Sequence, residues 1–485
     1  MHIFSKTPSK WLVFVLVAIA QFMVVLDNAI TNVALPTIKN QLHFTTSALQ
    51  WVVTAYALTF GGFLLLGGRA ADLFGRKRTL LAGMIAFTTF SFLIGISHSS
   101  TQLIILRALQ GMSGAFMSPA ALSIVLVTFR DGPARNKALS FWTLVATGGA
   151  AIGLLLGGAL TQLFGWRWNF FINVPIGIIM TLLIGRIVPE HEKEADKKGL
   201  DLPGAALATS SLMLLVLGFS QAPLWGWLSG KTLLSIGVAL ALLAGFVINE
   251  SRVKRPLMPL SIFKVRNVRG ANLIMAPLYA SMLGAFFLLT LYLQGVLHLS
   301  PIMTGLAFLP FPITIAIIST RMPKLVARYG FKRFLIVGPL VVVAGMVWLS
   351  LLHAGSSYWL GILPAAILMP LGIGMTMMPT IAAATSGVPA QEAGIASGLI
   401  STSQQMGGAL GLSILSGIAA SVTTSSLHLG STEAALHGYH AAFLAAAGFM
   451  ALASLAAMLV IKTPQRKGDS AEEMRRLRLQ SSMNH

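Results

Sequence analysis

Residues 68–78 read Gly68-Arg69-Ala70-Ala71-Asp72-Leu73-Phe74-Gly75-Arg76-Lys77-Arg78, and they join two apolar stretches, 49–70 and 79–97, that hold almost no charge. About 20 apolar residues suffice to cross about 30 Å of hydrocarbon, so each stretch is one membrane span long. A basic loop between two such spans marks the cytoplasmic side of the turn. Along the 485 residues the pattern recurs: basic residues fill every second gap between apolar stretches.

Working outward from that loop gives fourteen spans, at 11–33, 49–70, 79–97, 101–128, 138–161, 168–188, 203–220, 231–249, 270–293, 301–320, 334–352, 358–381, 394–421 and 438–461. With the N-terminus cytoplasmic, 30 of the 34 Lys and Arg fall in inside segments, and only Lys39, Arg167 and Lys231 lie outside. Arg107 is within a span. A wrong span count would scramble this sorting from the error onward, so both termini are expected to be cytoplasmic. Charged residues are 10% of the chain, against about 25% in soluble proteins, and mean hydropathy is +0.79. The expected class is an all-α polytopic membrane protein.

The formal net charge of +20 fits loops facing an anionic inner leaflet. No soluble segment is long enough to form a nucleic-acid-reading domain, so no nucleic-acid partner is expected. The first apolar stretch follows Lys6 and Lys10 like a signal peptide, but it is too long and lacks a small-residue cleavage site. The chain has no Cys, which excludes disulfides, thiolate metal sites and a Cys nucleophile. No His, Asp or Glu pair has helical metal-ligand spacing, and no P-loop, dinucleotide fingerprint or Ser-His-Asp set is present. Neither a metal, a cofactor nor an enzymatic activity is expected.

Polar interruptions at 189–202 and 250–269 bracket two spans without interior charge, and removing those two leaves six spans on each side. The basic loop after the second span has a weaker counterpart after the tenth, Arg321 to Arg333, which suggests an internal repeat. The expected division is an N-terminal six-helix bundle at 1–188, a central linker with two extra helices at 189–269, a C-terminal six-helix bundle at 270–461, and a charged cytoplasmic tail at 462–485.

A charge inside hydrocarbon costs several kcal/mol and marks a functional site by default. Two lie well inside spans: Asp27 in the first and Arg107 in the fourth. At 1.5 Å per residue, Asp27 is about 24 Å from its inner end and Arg107 about 9 Å below the outer surface, which places them at similar depth. They could form a structural ion pair or bond separate backbone groups. The functional alternative is a carboxyl that takes up and releases a proton, because burial favours the neutral acid and a nearby cation the ionised form. Gly111, Gly114 and Ser118 share the Arg107 face, so another helix can approach closely there. On the first span Gln21, Asn28 and Asn32 form one polar stripe beside Asp27 and Thr31, a face too polar for lipid. Gly149, Gly153 and Gly157 repeat every fourth residue on the fifth span, beside Gly148 and Gly158, giving a smooth surface for close packing and sliding.

These residues resemble those of the major facilitator superfamily, in particular its 14-span drug:proton antiporters of the EmrB/QacA type, over nearly the whole length. Leu26-Asp27-Asn28-Ala29-Ile30-Thr31-Asn32-Val33-Ala34-Leu35-Pro36 resembles the first-span motif of that branch, and Gly68 to Arg78 the superfamily's GxxxD-x-x-GR-basic loop. Leu106-Arg107-Ala108-Leu109-Gln110-Gly111 resembles the fourth-span motif whose Arg serves proton coupling. Trp166 to Gly177 and Gly394 to Gly411 are similar to the segments around the sixth and thirteenth spans. The resemblance implies two six-helix bundles with two inserted central helices, alternating access, and a cytoplasmic gating role for Gly68, Asp72, Gly75, Arg76, Lys77 and Arg78. The bland alternative for that loop is that its basic residues only hold topology.

Three departures matter. Ala29 replaces the usual Thr and Thr31 the usual Val; Leu73 replaces an Arg often found after Asp72; and Leu154 stands where the fifth-span antiporter motif has Pro. Losing that Pro removes a kink and restores a backbone hydrogen bond, but Gly149, Gly153, Gly157 and Gly158 keep the small-residue surface. The expected function is therefore proton-coupled antiport that exports small amphipathic or cationic compounds from a bacterial cytoplasmic membrane, powered by the proton gradient. Asp27 would carry the proton and Arg107 modulate it. Gln21, Asn28, Thr31, Asn32, Gln110, Gln404 and Gln405 would line the substrate cavity. In a Gram-negative cell a periplasmic adaptor would be a further partner. The rivals are a facilitator or proton symporter for a metabolite on the same fold, and a non-transporting membrane sensor or scaffold.

Overall fold

Each of the fourteen apolar stretches folds as a helix. A computed structural model describes residues 9–129, 133–190, 201–253, 256, 260–386, 388 and 393–462; most of the central linker's charged run and the charged tail lie outside the described residues. The helices are α1 (Lys10–Gln41), α2 (Trp51–Phe74), α3 (Arg76–Gly95), α4 (Ser100–Thr128), α5 (Pro133–Leu163), α6 (Trp168–Ile187) and α7 (Leu202–Trp225). They continue as α8 (Gly230–Arg252), α9 (Arg266–Gly295), α10 (Pro301–Tyr329), α11 (Phe331–Leu349), α12 (Tyr358–Thr385), α13 (Ala393–Ser425) and α14 (Ser431–Val460). Thirteen of these are long and apolar enough to cross a membrane among the described residues, and α5 adds a shorter apolar run at Gly148–Leu163.

Local chemistry sets several of the turns. At the end of the molecule away from the N-terminus, α4, α8, α10 and α12 each begin after a serine. The hydroxyls of Ser99, Ser229, Ser300 and Ser357 accept from the backbone N–H groups of Gln102, Thr232, Met303 and Leu360. Such caps satisfy donors that a helix start leaves open. At the opposite end the turn from α2 to α3 is a single residue, Gly75, with φ 99°, a conformation that costs glycine nothing.

The pairings among the first six helices recur eight helices further on. α1 packs on α5 as α9 does on α13; α2 on α4 as α10 on α12; α3 on α4 and α6 as α11 on α12 and α14; and α1 on α6 as α9 on α14. The two sets meet along α2–α13, α5–α10 and α1–α9. In lipid, close packing rather than hydrophobic burial holds helices together, and the two outer seams differ in it. Along α2–α13 the contacts run end to end. Gln50 receives the Ser416 hydroxyl at one end, a Cβ at Gly61 would lie 2.7 Å from the Gln405 Cβ in the middle, and one at Gly398 would lie 3.3 Å from Leu65 towards the other end. α7 fills the groove outside this seam: its Thr209 meets Gly62, its Val216 carbonyl accepts from Ser413, and Leu212 and Val216 cluster with Ala57, Leu58 and Ala409. α8 rests chiefly on α7.

The α5–α10 seam is joined near the far end. A Cβ at Gly158 would lie 2.9 Å from the Ile302 Cα, the Gln162 carboxamide oxygen accepts from the Ile302 N–H at 3.3 Å, and Leu154 is buried against Gly305. Towards the N-terminal end the same helices turn apolar side chains outward, including Leu144 on α5 and Ile313 and Ile317 on α10.

Candidate functional site

The site is built where four helices of the first set converge on Asp27. The α5 glycines bring α5 against α1: a Cβ at Gly153 would lie 2.6 Å from the Ala29 Cβ, and one at Gly157 2.7 Å from the Ile30 Cα. Glycine does the same between α4 and α2. At Gly111 an added Cβ would lie 2.8 Å from the Tyr56 Cα, and the Thr59 hydroxyl donates to the Ala108 carbonyl at 2.6 Å. The close approach that the Gly111–Gly114 face predicts is thus made by α2, and it puts backbone and ring groups of α2 against Arg107.

Asp27 and Arg107 are both fully buried, and Arg107 Nη1 lies 2.5 Å from Asp27 Oδ2. The same Nη1 donates to Gln110 Oε1 at 2.7 Å, and Nε donates to the Val52 carbonyl at 2.9 Å. The guanidinium carbon sits 4.4 Å from the centre of the Tyr56 ring. The other carboxylate oxygen, Asp27 Oδ1, accepts from Gln110 Nε2 at 2.9 Å and from Asn173 Nδ2 at 2.9 Å. Gln110 Nε2 also donates to the Ser91 hydroxyl at 2.8 Å, which ties in α3. A single carboxylate therefore gathers α1, α4 and α6 directly, and α3 through Gln110. Removing one partner of a buried pair costs about 3–5 kcal/mol, because the other charge is left uncompensated.

The loop before α6 aims Asn173 at this node. The Trp166 indole N–H donates to Gln41 Oε1 at 2.8 Å, Arg167 Nη2 donates to the Ser97 carbonyl at 3.1 Å, and Asn169 Nδ2 donates to Thr161 Oγ1 at 2.7 Å. These bonds pin the start of α6 to the ends of α1, α3 and α5. Asn173 then lies one turn beyond Asn169, and Phe170 between them stands 5.8 Å from the guanidinium.

The seven residues expected along the cavity separate into two groups. Gln110 is fully buried within the ion-pair network, and Thr31 is fully buried with its hydroxyl on the Asp27 carbonyl at 2.7 Å. Gln21, Asn28, Asn32, Gln404 and Gln405 are half-buried. Gln21 accepts from Ser118 at 2.8 Å, Asn28 and Asn32 each donate one turn back along α1, and Gln404 donates to the Met275 sulfur at 3.7 Å. Gln405 packs at Gly61 in the α2–α13 seam. Sequence reasoning did not single out Asn173 or Ser91 as site residues. The usable signal for Asn173 was Asn169 and Asn173 spaced i, i+4 in an otherwise apolar span, the same kind of polar stripe read on the first span.

In the loop of residues 68–78, Arg76 Nη2 lies 3.8 Å from Asp72 Oδ1, and Arg78 Nε donates to Glu190 Oε1 at 3.0 Å. Arg69 donates to the Pro256 carbonyl at 2.8 Å, linking α2 to the segment after α8. No group of three or more metal-ligating side chains occurs among the described residues.

Two related sets of six spans packed against each other are the plan of a two-bundle, multi-pass membrane transporter. Residues 17–412 match the Major Facilitator Superfamily, and the chain belongs to that family of transporters. It is 38% identical over 472 residues to a puromycin resistance protein of Streptomyces alboniger, covering 95% of this chain and 93% of the relative. It is 39% identical over 449 residues to a cephamycin export protein of Amycolatopsis lactamdurans, covering 92% and 91%. Among solved structures, a POT family transporter superposes with a TM-score of 0.69 at 16% identity, covering 94% of this chain and 98% of that one; at that identity the likeness concerns the fold.

Proposed function

We propose that this chain is a proton-coupled antiporter that exports small amphipathic or cationic compounds across a bacterial cytoplasmic membrane. Its N-terminal end would face the cytoplasm. Residues 1–188 and 270–461 would act as the two moving bundles, with 189–269 inserted between them. The observation that carries the reading is the buried Asp27–Arg107 pair. It is a carboxylate placed where protonation changes the local charge, on a helix packed against the glycine face of α5 and close to the inter-bundle contact. Protonation would weaken its hold on Arg107 and Gln110, and so couple a proton to the packing of α1, α4 and α6. The resistance and export proteins to which the chain is similar support export as the direction. Gln21, Asn28, Asn32 and Gln404 are the polar groups left for substrate.

Inverted membrane vesicles loaded with a fluorescent lipophilic cation test this. Wild type should concentrate the dye when a proton gradient is imposed and lose that ability when it is collapsed. Asp27→Asn should only equilibrate it, with expression and melting measured alongside because the variant strands the Arg107 charge. An Asp27→Asn protein that concentrates dye as well as wild type would remove Asp27 from coupling. A wild type that equilibrates dye without concentrating it would favour a facilitator.

A further inference from the structure

We propose that Asn173 is the acceptor for the proton that Asp27 takes up, and that it acts by turning over its side-chain amide; the inference rests on Asp27 being the protonation site. With Asp27 ionised, Asn173 Nδ2 donates to Oδ1 at 2.9 Å. The other end of the amide, Asn173 Oδ1, is buried and has no hydrogen-bond partner, in a residue that is itself fully buried. A buried carbonyl oxygen left unpaired is costly, and native structures rarely keep one without a use.

Protonation supplies the use. The proton arrives from the aqueous side as hydronium, an O–H bond forms on Asp27 and water is left; Arg107 keeps its charge. Oδ1 is the oxygen that takes it at least cost, because its two bonds come from neutral amides whereas Oδ2 holds the guanidinium. The new O–H must then find an acceptor. Gln110 Oε1 is engaged by Arg107 Nη1 and the Val52 carbonyl by Arg107 Nε, and the Ser91 oxygen already takes Gln110 Nε2. Turning Gln110 over would break three bonds, to Arg107, Asp27 and Ser91. Turning Asn173 over breaks only the bond to Oδ1, replaces it with Asp27 O–H to Asn173 Oδ1, and moves Nδ2 into the place of the unpaired oxygen. The count of hydrogen bonds at Asn173 is the same in both states, so what protonation removes is the carboxylate charge that holds Arg107 and Gln110.

The charged and titratable groups facing Asp27 are few. Arg107 faces it from α4, and Tyr56 on α2 interacts with both members of the pair. α5 packs Gly149, Gly153 and Gly157 on α1 at Phe22, Val25, Leu26, Ala29 and Ile30, α6 presents Phe170 and Asn173, and α3 reaches the pair through Ser91. Of the two carboxamides on Asp27, Gln110 is held by two further bonds and Asn173 is the one that can exchange a donor for an acceptor at the cost of a single bond.

Infrared difference spectra of the full chain in lipid, recorded between neutral and acid pH with isotope-labelled asparagine, read both events. Wild type should show a carboxylic-acid band that is absent in Asp27→Asn, together with a shift of an asparagine carbonyl band that is absent in Asn173→Leu. Asn173→Gln, which keeps a carboxamide and is the gentler change, should move the labelled signal to glutamine when that residue is labelled instead. A carboxylic-acid band from Asp27 without any amide change, or with one that persists in both Asn173 variants, overturns the role of Asn173 and leaves Asp27 in place. Absence of any Asp27 band overturns the protonation site itself, and this inference with it.

Discussion

The backbone carbonyl of Leu154 occupies the space that a Cβ at Gly305 would need. This contact joins α5 of one six-helix set to α10 of the other, at the residue where the antiporter motif that the fifth span resembles has proline. Leu154 is only 5% exposed, so the departure from the family pattern adds buried side chain at an inter-bundle seam as well as removing a kink.

Leu154→Pro should therefore weaken the fold. Interior proline costs about 3 kcal/mol through its lost donor and ring clash, and the Leu side chain leaves a gap besides. The direction of dye transport should be preserved, because the glycine face of α5 is untouched. Thermal unfolding in detergent and vesicle transport check the two halves separately; unchanged melting would mean that the seam absorbs the substitution.

Arg107→Lys should lose most transport. The guanidinium uses Nε on Val52 and Nη1 on both Asp27 and Gln110, a planar geometry that a single ammonium cannot reproduce. Full activity at normal expression would reduce Arg107 to a replaceable point charge.

Two glycines on α5, Gly157 and Gly148, should respond in opposite ways to alanine. A methyl at Gly157 would lie 2.7 Å from the Ile30 Cα and 2.9 Å from its carbonyl oxygen, while one at Gly148 meets nothing within 4 Å. Gly157→Ala should cost about 1–3 kcal/mol by overpacking, and Gly148→Ala should gain up to about 1 kcal/mol of helix propensity. Melting temperatures of the pair decide; equal shifts would mean that α1 and α5 do not pack as closely as the glycines allow.

Asp72→Asn should leave melting nearly unchanged. The Asp72–Arg76 pair is 3.8 Å apart with side chains 51% and 20% exposed, and such pairs contribute at most about 1 kcal/mol. If the loop gates the cytoplasmic side, spin-label distances between the N-terminal-side ends of α2 and α11 should nevertheless redistribute. Distances unchanged over a pH range that shifts wild type would leave the loop with a topological role.

The fold was legible because membrane spans announce themselves locally: apolar length and the sign of the gaps located all fourteen helices, although α1 runs beyond its apolar stretch, through Pro36, to Gln41. Asp27 and Arg107 were legible for the same reason, since ionised groups stand out against hydrocarbon. What their neighbours do was not. Gln110 reads as a cavity residue until the three-dimensional register shows it bonded to Arg107, Asp27 and Ser91. Asn173 carries no charge and comes from a span distant in sequence, so only the pinned turn at Trp166 and Arg167 reveals where it points. The unequal seams are equally non-local, because they depend on where α7 settles.

That inequality has a mechanical consequence. A pair of half-molecules stitched along one long edge and fastened at one corner of the other has a spine and a fore-edge, like a book. The stitched edge is α2–α13 with α7 laid along it, and among the described residues the looser edge is α5–α10 beyond Leu154 and Gly158. If the two sets rotate against each other as proposed, the axis would lie near the spine and the greatest travel at the fore-edge. The extra helix pair would then be more than length added to a twelve-helix plan: it would fix which side of the protein swings.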